Sequence, residues 1–376
     1  MPTFVNRPLT DFTVPVQSVR VQMNPSRTKR QHDRPATLAT VAEAVGVSRM
    51  TVSNAYNRPD QLSPELRERV LAVARELGYP GPNPVARTLS RGATGSVGLV
   101  LDYPLTEAFT DPATVLFLHG VAAGCEEREL GLSLVPRIAG RDAALVHTAL
   151  VDGFIVYCAP EEDARLVAVR ERRLPYVLVD FAPRPAQRAV NVDDRAGAQA
   201  IAEHLVALGH RSFGIVQPFE KPWATAAEAE TFATWYIDGE RLAGWRAALE
   251  PAGVDWSAVP VATAPGGGRE TGRRAAAQLL DRKDRPTAIL ALYDQLALGV
   301  LDAAAERGIA VPADLSVAGF DDVPEATLVT PALTTVHQSH ARKGTEAVRL
   351  LLEDDGPQAV LLATELVVRA STAPAP

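Results

Sequence analysis

Apolar residues recur three and four positions apart at Leu38, Val41, Ala42 and Val45, the spacing of a helix with one buried stripe. Thr37 stands where a hydroxyl caps such a helix, and Gly46 where the chain leaves it. Ser48 then caps a second short helix, Arg49 to Tyr56, whose Met50, Val52, Ala55 and Tyr56 must be divided between core and surface. Ser63-Pro64-Glu65 opens a third with a capping serine, proline at the first helical position and an acid in the first turn. It runs to Leu77, with Leu66, Val70, Val73 and Leu77 turned inward, and stops at Gly78. Three short helices around one small core, with helix-turn-helix spacing, are therefore expected over residues 36–82.

Beyond Thr94 short β-branched runs alternate with helical stretches. Strands are expected at 96–101, 132–135, 154–157, 176–179, 189–192, 213–216, 259–262, 288–292 and 315–320, and helices near 113–130, 194–208, 240–250 and 294–307. Such alternation predicts parallel sheets covered on both faces, and its length suggests two lobes. The expected fold is an N-terminal all-α helix-turn-helix headpiece followed, over 94–376, by an α/β core of two doubly wound parallel-sheet lobes. Ligands of such sheets bind beyond the carboxyl ends of the strands, so the cleft between lobes is the natural site.

Residues 1–35 lack periodic apolar positions, carry five prolines and end in Arg27-Thr-Lys-Arg30, the composition of a disordered tail. Met23 leaves a second possible start. The net charge of −7 argues against a nucleic-acid partner until its distribution is seen. Residues 1–92 carry 13 basic and 7 acidic side chains, the remainder 25 and 38. A basic head on an acidic body suits a DNA-reading module joined to a sensing module, although a basic head alone is usually only solvated surface.

An apolar content of 47% is ample for a globular core, and the longest apolar runs, such as Ala288 to Leu292, are strand-sized. A bilayer span needs roughly 20 apolar residues, so no membrane association is expected. The N-terminus has no apolar segment followed by a small-residue cleavage site, which points to a cytoplasmic protein. Cys125 and Cys158 form neither a disulfide framework nor a CxxC motif and are expected to be buried and inert. Gly266-Gly-Gly268 lacks the Lys-Ser/Thr of a phosphate-binding loop, and the seven histidines show no metal-ligand spacing, so no cofactor and no metal are expected.

The stretch Ala36-Thr-Leu-Ala-Thr-Val-Ala-Glu-Ala-Val-Gly-Val-Ser-Arg-Met-Thr-Val-Ser-Asn-Ala-Tyr-Asn57 resembles the headpiece of the lactose-repressor/galactose-repressor family. The resemblance continues through Leu77-Gly-Tyr79 and Pro82-Asn-Pro-Val-Ala-Arg-Thr-Leu-Ser90, similar to that family's hinge helix. In the core it runs through Leu205-Val-Ala-Leu-Gly-His210, Arg241-Leu-Ala-Gly-Trp245, Asp294-Gln-Leu-Ala-Leu-Gly299, Ser316-Val-Ala-Gly-Phe-Asp-Asp322 and Pro331-Ala-Leu-Thr-Thr335. It covers about residues 36–370 and implies a hinge over 83–93 and a periplasmic-binding-protein-like core. One departure is Tyr79-Pro-Gly-Pro-Asn83, one residue longer than usual before the hinge.

The resemblance implies a homodimeric, ligand-controlled regulator that binds double-stranded operator DNA. The second helix would enter the major groove, with Arg49, Met50 and Asn54 meeting base edges; Arg and Asn can make paired hydrogen bonds to guanine and adenine. Thr37, Ser48, Thr51 and Ser53 suit phosphates, though simple helix capping accounts for each taken singly. Asn83 belongs to the same DNA set, as does Leu89, in the family a wedge into the minor groove. For a small-molecule effector, Arg241 and Asp321 fall where the family places an arginine and an aspartate on the ligand, although such pairs also pin lobes together. Tyr103, Phe109, Tyr157, Asp180 and Gln338 are placed there by approximate alignment. Tyr293 stands where many sugar-binding members carry an amide; it would stack on a ligand face or simply fill space. The aromatic-rich segment 219–239, longer than usual, would lid the cleft or pack outside it. No leucine heptads follow Val368, which favours a dimer over a tetramer.

Two other classes compete with this reading. A solute-binding receptor would share the core fold but not the headpiece. An enzyme would use Asp193-Asp194, Asp321-Asp322 and His337 for acid–base chemistry, yet carboxylate pairs at strand-to-helix turns usually act as caps.

Overall fold

A computed structural model describes residues 36–81, 92–138, 140–219, 224–353 and 358–376. The expected tail, Asn83, Leu89, Trp223 and nearly all of the hinge stretch lie outside the described residues. The chain divides into two compact units, one ending at Ser90 and the other beginning at Arg91.

The first unit holds α1 (Leu38–Val45), α2 (Arg49–Asn57) and α3 (Pro64–Glu76). Thr37 and Thr40 cap α1 reciprocally, Ser48 accepts from the Thr51 amide and Ser63 from the Leu66 amide. Val41, Ala42, Val52, Ala55, Val70 and Ala74 form the core. Leu77 does not turn inward as its spacing predicts. It is 42% exposed, because α3 has ended and Gly78, at φ +67°, redirects the chain so that Tyr79 packs on the core instead.

The second unit has two lobes. In chain order the first contains β1 (Ser96–Leu101), α4 (Leu105–Ala108), α5 (Pro112–Glu126), β2 (Gly131–Val135), α6 (Asp142–Thr148), β3 (Gly153–Tyr157), α7 (Ala164–Glu171), β4 (Tyr176–Val179) and β5 (Ala189–Val192). The second contains α8 (Asp194–Ala207), β6 (Phe213–Gln217), α9 (Ala226–Thr231), α10 (Tyr236–Leu249), β7 (Val261–Thr263), α11 (Arg269–Leu280), β8 (Ala288–Ala291), α12 (Asp294–Glu306), β9 (Ser316–Ala318), α13 (Glu325–Leu328) and β10 (Thr335–Gln338). The chain then returns to the first lobe for α14 (His340–Leu352) and β11 (Ala359–Leu362), and to the second for β12 (Thr364–Val367). It thus passes between the lobes after Val192, at Ser339 and at Ala363.

The first sheet is all parallel with order β11-β5-β4-β3-β1-β2, the second all parallel with order β7-β6-β8-β9, and β10 pairs antiparallel with β12. Alternate residues of β1 serve opposite faces: Val97, Leu99 and Leu101 join the cluster under α5 and α14, Val100 the one under α6 and α7. Several boundaries move from those the periodicity suggests. The helix expected to 130 ends at Glu126, where Glu129 turns at φ +55°. The helix expected from 240 begins at Tyr236, and the strand expected over 315–320 shortens to Ser316–Ala318, with Gly319 against the Asp294 carboxylate.

Candidate functional site

Helix α2 buries Val52 and Ala55 and turns Arg49 and Met50 outward, Met50 being 69% exposed. Ser53 and Asn54, one turn later, continue that face and are half-buried. Arg49 has no hydrogen-bond or ion-pair partner among the described residues. Asn54 Nδ2 donates to Gln61 Oε1 at 3.1 Å, and Asn57 Nδ2 to Ser53 Oγ at 3.2 Å. The Ser48 hydroxyl lies 2.8 Å from Thr51 Oγ1 at the helix start. An exposed cation, an exposed thioether and hydroxyls at a helix N-terminus make a surface suited to base edges and phosphates.

In the second unit, polar side chains converge at the carboxyl ends of the strands. Arg241 on α10 is buried: its Nε donates to Asp194 Oδ1 at 2.9 Å, its Nη1 to the Leu292 carbonyl at 2.6 Å, and its Nη2 lies 3.6 Å from Asp321 Oδ1. The guanidinium carbon sits 3.8 Å from the Phe320 ring centre. Gln338 Nε2 donates to Asp321 Oδ1 at 2.6 Å. Lys343 Nζ, on α14, donates to Gln338 Oε1 at 3.0 Å and to Asp180 Oδ2 at 2.7 Å. A continuous buried chain therefore runs from Asp194 and Arg241 in the second lobe to Lys343 and Asp180 in the first.

The sequence-predicted effector residues divide accordingly. Arg241, Asp321, Gln338 and Asp180 belong to this chain. The Tyr157 ring stacks on Phe117 with centres 4.3 Å apart and lies 5.7 Å from Lys343 Nζ. The Tyr103 hydroxyl bonds Thr114 within the first lobe. The Tyr293 hydroxyl donates to Asp238 Oδ1 at 2.6 Å, with its ring 5.2 Å from the Arg241 guanidinium, so this tyrosine packs within its own lobe. Phe109 is 59% exposed and is not drawn into the polar chain. From the aromatic-rich segment, Trp235 stacks on Phe219 and donates its Nε1 across the lobes to Asp102 Oδ2 at 3.1 Å; Asp102 is also held by Arg165. Cys125 is buried, but Cys158, at φ +50° in the turn after β3, is only half-buried.

Sequence reasoning missed Lys343, His340, Asp238 and Gln217. No helix is expected over 340–352 from the sequence, and only the packing of α14 against α5 shows Lys343 and His340 buried. Buried polar atoms without a partner gather here: Asp180 Oδ1, Asp194 Oδ2, Asp238 Oδ2 and both amide atoms of Gln217, beside the buried His340 ring. Native interiors seldom leave such atoms unpaired, so their concentration in one place makes this the candidate binding site.

Burial pushes Asp194 and Asp238 up to about 6, even though Arg241 lies beside them, and also raises Asp321. Burial alone would lower Arg241, but Asp194 and Asp321 keep it charged. Burial, aided by Lys343, drives His340 far below its ordinary value, leaving a neutral imidazole. The acid pairs are accounted for without catalysis. Asp193 accepts from the Ala196 amide while Asp194 turns to Arg241, and Asp322 pairs with His337 and Arg369. No cluster of three or more His, Cys, Asp or Glu side chains among the described residues is placed to hold a metal. No helix among them is long and apolar enough to cross a membrane.

Comparison with known proteins bears on both sites. Residues 37–83 match the family of bacterial regulatory proteins, lacI family, and residues 202–372 match the periplasmic binding protein-like domain. The chain is 42% identical over 347 residues to the HTH-type transcriptional regulator Rv3575c of Mycobacterium tuberculosis, covering 89% of this chain and 96% of that one. The chain belongs to the lacI family. It is a DNA-binding transcriptional regulator, and the family is one of regulators, not of enzymes. Among solved structures, the lac repressor dimer bound to operator and the anti-inducer ONPF matches 90% of this chain and 100% of its own, at 29% identity and a TM-score of 0.73. The complex of the transcriptional regulator CelR with cellobiose matches 89% of this chain and 99% of its own, at 28% identity and a TM-score of 0.66. Within the family, α1 to α3 form the helix-turn-helix headpiece and the two lobes the periplasmic-binding-protein-like core.

Proposed function

We propose that this regulator is a homodimeric repressor whose two headpieces read the half-sites of a pseudo-palindromic operator, and that a neutral polyhydroxylated molecule, a sugar or a related metabolite, bound between the core lobes sets its affinity for DNA. In the headpiece, Arg49, Met50 and Asn54 read bases, and Thr37, Ser48, Thr51 and Ser53 position the backbone; Asn83 and Leu89 complete the set from the hinge stretch. In the core, Arg241, Asp321, Gln338 and Asp180 hold the effector's polar groups, and Tyr103, Phe109, Tyr157 and Tyr293 shape its surroundings.

The observation that carries this reading is the cluster of unpaired polar atoms along the buried chain between the lobes. Acidic groups outnumber the two cations there, and several have burial-raised affinity for protons. Hydroxyls, which both donate and accept, satisfy such a mixture, whereas an anionic ligand would meet more carboxylates than cations. The solved cellobiose complex of CelR supports a sugar-like effector, and the operator-bound lac repressor dimer supports the dimeric repressor. An effector shifts DNA affinity only by the difference in its binding to the two closure states.

The test is a gel shift with DNA from upstream of the protein's own gene, repeated with neutral sugars and sugar alcohols. A shift that weakens with salt and responds to one of these compounds is expected. Asp321→Ala should retain the shift and lose the response; a variant that still responds in full overturns the assignment of this cleft.

A further inference from the structure

Lys343 lies where neither burial nor helix electrostatics favours a cation. It is 1% exposed, and it sits in the first turn of α14, where the helix dipole repels positive charge. Further along the same face Ala347, Val348 and Leu351 pack into the first-lobe core. On stability alone, a leucine or methionine at 343 would extend that apolar face.

The ammonium has three N–H donors and spends two, on Asp180 Oδ2 and Gln338 Oε1. Beside it Asp180 Oδ1 has no donor, and the buried His340 ring, neutral, faces the Asp321 backbone with at most one of its nitrogens. Asp180 also holds a left-handed backbone, φ +64°, at the end of β4. For a residue with a Cβ this conformation is strained, and strain of this kind concentrates at ligand clamps.

We infer that Lys343 and Asp180 together read two neighbouring hydroxyls of the effector, the ammonium donating to one ligand oxygen and Asp180 Oδ1 accepting from the adjacent hydroxyl. His340, uncharged, directs its N–H toward the Asp321 backbone and leaves its other nitrogen as an acceptor for a ligand hydroxyl. The pairing of a fixed cation with a fixed anion selects a neutral vicinal diol. A phosphate or carboxylate placed on Lys343 meets Asp180 and Asp321, and an ammonium placed on Asp180 meets Lys343 and Arg241. This inference rests on the proposed effector reading of the cleft.

The experiment measures binding to the full chain by calorimetry. The panel comprises neutral pentoses, hexoses, cellobiose and sugar alcohols, with their deoxy, phosphorylated and amino counterparts. The tightest neutral binder is then measured against Lys343→Met and the double variant Lys343→Met/Asp180→Leu. Replacing both members of a buried ion pair by apolar residues commonly preserves stability, so the double variant keeps the fold. Operator binding by gel shift verifies both variants. Expected are an affinity loss of about 10- to 100-fold in Lys343→Met, no recovery in the double variant, and weak binding of ligands lacking one hydroxyl of the diol. Wild-type affinity in Lys343→Met, recovery in the double variant, or a phosphorylated ligand as the tightest binder overturns the inference, the first two marking the pair as structural only. Should Lys343→Met fail to fold, Asp180→Asn, which keeps the volume and the ammonium, must show the same loss. A wild-type chain that binds none of the panel overturns the effector reading itself, a result distinct from the others.

Discussion

Arg49 stands on the exposed face of α2 with its five N–H donors unspent, so its guanidinium is available to a guanine edge. Arg49→Ala should cost about 1 to 3 kcal/mol of operator affinity and flatten preference at one base position, with effector binding unchanged. Selection from a randomised operator library, paired with calorimetry on the effector, checks both halves. Asp238 supports a pH prediction. Burial raises it to about 6, so between the unfolded value near 4 and this folded value the native state binds more protons than the unfolded one. By linkage its contribution to stability is favourable below pH 4 and is lost as pH rises through 6, a swing of up to about 3 kcal/mol. Asp238→Asn should therefore gain on the wild type between pH 4.5 and 7.5, seen as a melting-temperature difference that grows in the variant's favour. A difference flat with pH would show that Asp238 ionises freely in the native state.

At the scale of elements, α5 and α14 cross so closely that a Cβ on Gly120 would lie 1.9 Å from the Ala341 carbonyl oxygen, and one on Gly344 would lie 2.5 Å from that of Phe117. The contact is backbone to backbone, which no rotamer change relieves. This crossing sets the depth at which α14 buries Lys343 and His340, so the packing of two helices fixes part of the cleft. Gly120→Ala should destabilise the core by about 1 to 3 kcal/mol and lower Tm by roughly 2 to 6 °C. Gly267→Ala, where the added carbon meets nothing within 4 Å, should leave Tm unchanged or slightly raised in the same calorimetric series. The headpiece helices were legible because each carries its caps, Thr37, Ser48 and Ser63, within its own sequence. Leu77 misled because its spacing continues the stripe while Gly78 ends the helix beneath it. Helix α7 has no such stripe: Arg165, Leu166, Ala168 and Val169 are all buried, and a helix covered on several sides shows little periodicity.

In the molecule as a whole, the two core lobes are joined by three chain crossings, by the polar chain from Asp194 to Asp180 and by the Trp235–Asp102 hydrogen bond. Trp235→Phe removes only the last of these, and Arg165 still satisfies Asp102. With the closed arrangement less populated, effector affinity should fall several-fold in calorimetry and the effector-free chain should scatter X-rays as a larger particle. Equal affinity and equal size would show that the bond does not hold the lobes. Net charge offers little help at this scale, since residues 36–92 carry only 7 basic against 5 acidic side chains. What the sequence determined by itself is whatever depends on neighbours along the chain: the capped helices, the strand and helix alternation, and the exposed Arg49-Met50 pair. It also contained Arg241 and Asp321, because they sit in segments whose order resembles a known family, and Gln338 and Asp180 through an approximate alignment to it. Only the tertiary structure could decide that Asp194 turns inward while Asp193 caps, that Tyr293 is spent on Asp238, and that Lys343 is buried. Each depends on an atom brought from 40 or more residues away, across lobes or between helices, and no local pattern carries that information.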